Sequence, residues 1–115
     1  LFYACESGNE KLVRYLIELG LEIDKETYLG QTPLFNACES GNEKLVKYLV
    51  EQGADINKET KEKETPLFNA CFAGKEKIVQ YLIEQGADLH QENVEGVTPF
   101  LRACKSGNEN LVKYL

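Results

Sequence analysis

An all-α repeat solenoid built from helix–turn–helix units is the fold this sequence predicts, and three observations carry it. The seven residues TPLFNAC at 32–38 return unchanged at 65–71 and, loosened to TPFLRAC, at 98–104. Cys5, Cys38, Cys71 and Cys104 lie 33 residues apart, as do Tyr15, Tyr48, Tyr81 and Tyr114, and Gly8, Gly41, Gly74 and Gly107. Within each copy, apolar residues recur at helical spacing between glycines that keep their places. A fixed period of this length marks stacked units, each too small to bury its own apolar face. The copies divide the chain at about 1–26, 27–59, 60–92 and 93–115, the first without its beginning and the last without its end.

The second copy shows the elements in order. Thr32 stands as a cap whose hydroxyl can take a free backbone N–H, and Pro33 suits the first helical position, where no N–H is needed. The short helix runs to about Ser40, and Gly41 supplies a left-handed stop. Asn42 caps a second helix, with Glu43 near its positive end. Leu45, Val46, Leu49 and Val50 share one face, the stripe that packing requires. Gly53 closes that helix. The polar stretch ADINKETKEKET then leads to the next Thr-Pro as an extended loop.

These residues carry a resemblance. GQTPLFNACESGNEKLVKYLVEQGADIN is similar to the ankyrin repeat, whose pattern runs Gly-x-Thr-Pro-Leu-His, two small residues, Gly, a helix and Gly-Ala-Asp. The likeness covers all 115 residues in one register. It implies an ankyrin-type stack of helix pairs with β-hairpin-like loops projecting at roughly a right angle. The usual His in the fourth place ties neighbouring loops by hydrogen bonds. Here that place holds Phe2, Phe35, Phe68 and Leu101, so packing in the core is expected in its stead. GLEID in the first copy replaces GADIN or GADLH, and its exit loop is expected to differ. Lys63 stands where Gly30 and Gly96 hold the hairpin, and a left-handed backbone there would strain it.

Composition excludes several functions. With 43% hydrophobic and 28% charged residues the chain is an ordinary globular sequence. Its net charge of −6, from 13 basic and 19 acidic residues, lacks the basic footprint of a nucleic-acid partner. No apolar run approaches the ~18 residues of a membrane span, so no membrane partner is expected. Equivalent points of stacked helices lie about 8–10 Å apart, beyond the ~7 Å reach of a disulfide. The cysteines are therefore read as small buried residues, which points to a reducing compartment, cytoplasmic or nuclear. The one histidine, His90, lies in a loop with no nucleophile placed for it, and no cysteine pair has zinc-ligand spacing. AGKEK lacks the spacing of a phosphate loop. No catalysis, metal, cofactor or small-molecule substrate is expected. Leu1 begins inside a first helix and Leu115 stops inside a second, so a window within a longer array is expected.

The function the resemblance implies is binding of a protein partner through loop tips and the exposed side of the first helices, a concave face. Carried over position by position, that face comprises Glu6, Ser7 and Glu26 from the first copy, and Tyr28, Leu29, Gln31, Glu39, Ser40 and Glu59 from the second. The third contributes Lys61, Glu62, Glu64, Phe72, Ala73 and Glu92, and the last Val94, Glu95, Val97, Lys105 and Ser106. These positions hold eight Glu and two Lys, a net of −6, while the remainder balances at 11 acidic and 11 basic residues. A basic partner segment is the expectation that follows, with loops made acidic for solubility as its plain alternative. Phe72 stands where the other copies have Glu6, Glu39 and Lys105, which marks it as an anchor or as an incidental exposed ring. The near-identity of copies two and three keeps open a second function, an architectural spacer within a larger protein.

Overall fold

The computed structural model describes residues 1–115, the side chain of Phe2 excepted. Among the described residues eight helices follow in pairs: α1 (Phe2–Ser7) and α2 (Glu10–Glu18), α3 (Pro33–Ser40) and α4 (Glu43–Glu51), α5 (Pro66–Phe72) and α6 (Glu76–Glu84), α7 (Pro99–Ser106) and α8 (Glu109–Tyr114). The molecule extends 40 × 27 × 22 Å. The first helices α1, α3, α5 and α7 pack each on the next, and every second helix packs on the first helix of its own pair.

Local chemistry sets the helix ends. Asn9, Asn42 and Asn108 each accept a backbone N–H three residues on, at 3.0–3.1 Å, as N-caps do. Two of them also reach backwards: Asn42 Nδ2 donates to the Gly8 carbonyl at 3.3 Å, and Asn108 Nδ2 to that of Gly74 at 3.2 Å. One side chain thus caps its own helix and ties it to the preceding pair. Lys75 occupies the equivalent place before α6 and caps nothing; its stem runs over Gly41 instead. Gly41, at φ 78°, ends α3 in the left-handed region that glycine enters without steric penalty.

The core follows the helical stripe. Leu45, Val46 and Leu49 are fully buried, and Val50 packs against them half-buried. They join Leu34, Ala37, Cys38, Leu67, Ala70, Cys71, Val79 and Leu82 in one cluster that runs through the stack. The exit of the first copy proves to be the same turn as the others, against expectation. Leu21 N donates to Leu16 O at 3.3 Å, just as Ala54 donates to Leu49 and Ala87 to Leu82. The left-handed glycine and this backbone bond set the turn, and the side chain has no part in it. Only the exposure differs, for Leu21 faces solvent while Ala54 and Ala87 are buried.

The loops form hairpins that pair without becoming regular strands among the described residues. Each closes with the same two bonds, as where Thr60 N donates to Glu64 O and Lys63 N to Thr60 O, both at 2.9 Å. Adjacent hairpins are stitched by Lys61 N to Leu29 O, at 3.1 Å, and Val94 N to Glu62 O, at 3.0 Å. Among the described residues Lys63 is the one non-glycine with positive φ, at 63°, beside 84° for Gly30 and 79° for Gly96. The hairpin keeps its left-handed geometry and the lysine carries the strain.

Phe35 and Phe68 are buried, as expected of the fourth place, but they lie outside the contiguous cluster of the stack. Phe35 sits beneath the hairpins at 27–31 and 60–64. Leu101 departs from this reading, being exposed, and Phe2 falls outside the described side chains. The expected cap by Thr32 also fails. Phe35 N and Phe68 N donate to the backbone carbonyls of Thr32 and Thr65 at 3.0 Å, which leaves both threonine hydroxyls buried without a partner. At Thr98 the hydroxyl does cap, taking Leu101 N at 3.2 Å. Opposite signs are therefore expected on substitution. Thr65→Val removes an unsatisfied buried hydroxyl and is expected to stabilise the protein by about 1 kcal/mol. Thr98→Val removes a cap and is expected to cost about 1 kcal/mol. Urea titrations of the two variants measure the difference.

Candidate protein-binding face

The hairpin tips and the first helices bring part of the sequence-derived face together. Leu29, Gln31, Lys61, Glu62 and Glu64 line a cleft of about 120 Å³ with Phe35, Thr60 and Asn69. Small-molecule sites are usually ~300–1,000 Å³, so this cleft is a step in a surface and too small to enclose such a ligand. Tyr28, 82% exposed, and Val94 stand at the tips of the hairpins on either side of the one at 60–64, with Glu95 exposed beside Val94. Glu39 and Ser40 are exposed at the end of α3, and Lys105 in the last turn of α7, all outside that cleft. Ser40 turns its hydroxyl to the Ala37 carbonyl at 2.9 Å, as Ser7 and Ser106 do in their own helices. Ala73 and Val97 are half-buried, and Glu92 is exposed.

Several carboxylates of the face are already engaged. Glu26 pairs with Lys58 at 3.3 Å, and Glu59 accepts from Gln91 Nε2. Glu64 is the most enclosed, its side chain 13% exposed. Its Oε2 takes Arg102 Nη2 at 2.6 Å and Asn93 Nδ2 at 2.8 Å. The Arg102 guanidinium also lies 6.0 Å from the Phe68 ring centre and 5.8 Å from that of Phe72, within cation–π range. The family pattern does not include Arg102 in the face. The signal for it was present, since copies two and three have Asn36 and Asn69 at that place. Including it changes the net charge of the face from −6 to −5 and leaves the remainder at −1.

Phe72 is 56% exposed on the last turn of α5. A large ring in water with a fixed cation at its side is an unusual surface element, and nothing in the stack requires it.

The cysteines offer no second site. All four are free, with Cys5, Cys38 and Cys71 buried and Cys104 exposed. Among the described residues no group of three or more His, Cys, Asp or Glu is placed to hold a metal ion. Burial pushes the Cys5 thiol up from 9.0 to about 11 and that of Cys71 to about 12, and it raises Cys38 further, aided by the neighbouring Cys71. A thiol reagent is therefore expected to label one cysteine per native chain quickly, Cys104, and the other three only on unfolding. The same burial gives a pH dependence. Above pH 9 the unfolded thiols ionise while the buried ones stay protonated, so stability falls as the pH rises from about 9 towards 11. Urea midpoints across that range test this, with a Cys71→Ala variant showing the smaller slope.

The sequence profile described as ankyrin repeats (3 copies) matches residues 1–60 and again 55–115, which together span the chain. The chain belongs to the ankyrin repeat family. Ankyrin repeats are in general protein–protein interaction modules, and the fold is typically non-catalytic. No curated protein matches this ankyrin chain.

Proposed function

We propose that this ankyrin array is a recognition module for a protein partner bearing a basic segment, bound along the hairpin tips and first helices with Phe72 as the apolar anchor. The observation that carries the reading is the exposure of Phe72, 56%, at a place where the other three copies are charged. Large aromatic rings near the centre of an interface supply a disproportionate share of affinity because they remove much apolar area from water at small entropic cost. The acidic excess, −5 with Arg102 included, supports a basic partner through association rate and choice. No chemistry is performed; affinity comes from surface complementarity.

A pull-down with the intact array and a Phe72→Glu variant tests this, followed by titration of the captured partner. Phe72→Glu is expected to weaken binding by about 30-fold or more, the equivalent of ~2 kcal/mol, with helical content unchanged. Raising the salt concentration is expected to slow association. Equal capture by both proteins would remove Phe72 as the anchor. Capture of nothing by either would favour the architectural spacer, the reading that the near-identical second and third copies support.

A further inference from the structure

We propose that Glu64, Phe68 and Phe72 form a guanidinium site that Arg102 of the same chain fills, so that Arg102 decides whether the face accepts an arginine from its partner. The inference deepens the reading above and rests on it. Comparison of two successive junctions carries it. Where the second and third copies meet, the chain has Gln31, Glu39 and Asn69; where the third and fourth meet, the same places hold Glu64, Phe72 and Arg102. Three differences between near-identical copies therefore coincide at one spot, and they are mutually complementary: a carboxylate, an exposed ring and a cation.

Two residues besides Arg102 position the site. Asn93 Nδ2 holds Glu64 Oε2 at 2.8 Å from the neighbouring hairpin, and Phe68 is buried beneath. The carboxylate and the Arg102 side chain are only 13% and 28% exposed, which limits screening of their pairing, while the Phe72 ring opens to solvent. A guanidinium suits this arrangement because its planar fork binds a carboxylate edge-on while its face lies on a ring. An ammonium offers a point charge and no face. Entry of an arginine from a partner must displace Arg102, exchanging like contacts for like, so the native face gains nothing by choosing arginine over lysine. Emptying the site removes that competitor.

Two peptide probes of equal length and charge, alternating arginine–glycine and alternating lysine–glycine, test the assignment by fluorescence anisotropy. The native array is expected to bind both equally. Arg102→Asn, which installs the residue of the other copies, is expected to prefer the arginine peptide by about tenfold. Arg102→Gln is expected to show the same preference and serves where the shorter side chain loosens α7. Adding Glu64→Gln is expected to abolish the preference. Lys105→Asn makes the same change in charge on the same helix and is expected to strengthen both peptides alike. Absence of an arginine preference in both Arg102 variants, or an equal preference in Lys105→Asn, would overturn the site and leave the basic-partner reading standing. Failure of both peptides to bind the native array and the variants would overturn the two together.

Discussion

Phe68→Ala is expected to lower the stability of the array by about 3–5 kcal/mol, whereas Phe72→Ala, one turn further along α5, is expected to change it by no more than about 0.5 kcal/mol. The two rings share a helix and both lie near Arg102, but their exposure differs. Phe68 is fully buried, so truncation forfeits its transfer energy and leaves a cavity that the flanking helices and hairpins cannot close. Phe72 is already 56% exposed, and its loss removes little that was hidden from water. Position in the stack enlarges the first effect. Because α5 packs on both α3 and α7, a defect there weakens two junctions at once, and in a linear array stability is close to a sum over such junctions. Urea unfolding followed by circular dichroism gives both values. Equal losses in the two variants would contradict the division of α5 into a buried position and a surface position. With native domains stable by only ~5–15 kcal/mol, Phe68→Ala approaches loss of the fold.

Gly30→Ala is expected to cost about 2–4 kcal/mol. Gly30 has φ 84°, and a Cβ added there would stand 3.1 Å from Thr60 Cα and 3.2 Å from Lys61 N. Both obstacles are backbone, so relief requires the hairpin at 27–31 to move away from that at 60–64. That movement would break the bond from Lys61 N to Leu29 O and shift Tyr28 and Leu29 on the proposed face. The variant is therefore expected to lose partner affinity as well as stability, which separates it from Phe72→Glu, where stability is kept. Lys63 supplies the reciprocal check. Lys63→Gly relieves positive φ without creating a gap in the core and is expected to raise the urea midpoint slightly. A loss of stability in Lys63→Gly would show that the lysine side chain contributes more than its backbone strain costs.

Features that depend on near neighbours in the chain are legible from the sequence. Asn42, Gly41 and Pro33 act through bonds and steric limits within a few residues, and their roles in the structure are those the spacing implies. Leu45, Val46 and Leu49 are buried because a helix of that pattern has one face to hide. Thr32 shows the limit of such reasoning. Its spacing is that of a cap, yet Phe35 N finds the Thr32 carbonyl and leaves the hydroxyl enclosed. Two acceptors on one residue compete for the same N–H, and the packing around Phe35 accompanies a choice that spacing does not express.

The candidate face divides in the same way. Phe72 is visible in the sequence because it breaks a column of charged residues, and Arg102 breaks a column of asparagines just as plainly. What the sequence cannot contain is their meeting. Arg102 and Glu64 are 38 residues apart and belong to different copies, and only stacking brings Nη2 to 2.6 Å from the carboxylate. Period, helix ends, the buried stripe and the acidic balance were determined by the sequence itself, since each is a property of local spacing or of a sum. The pairing of carboxylate, cation and rings was decided by the tertiary structure, because it depends on the register between neighbouring copies, and that register is set by packing.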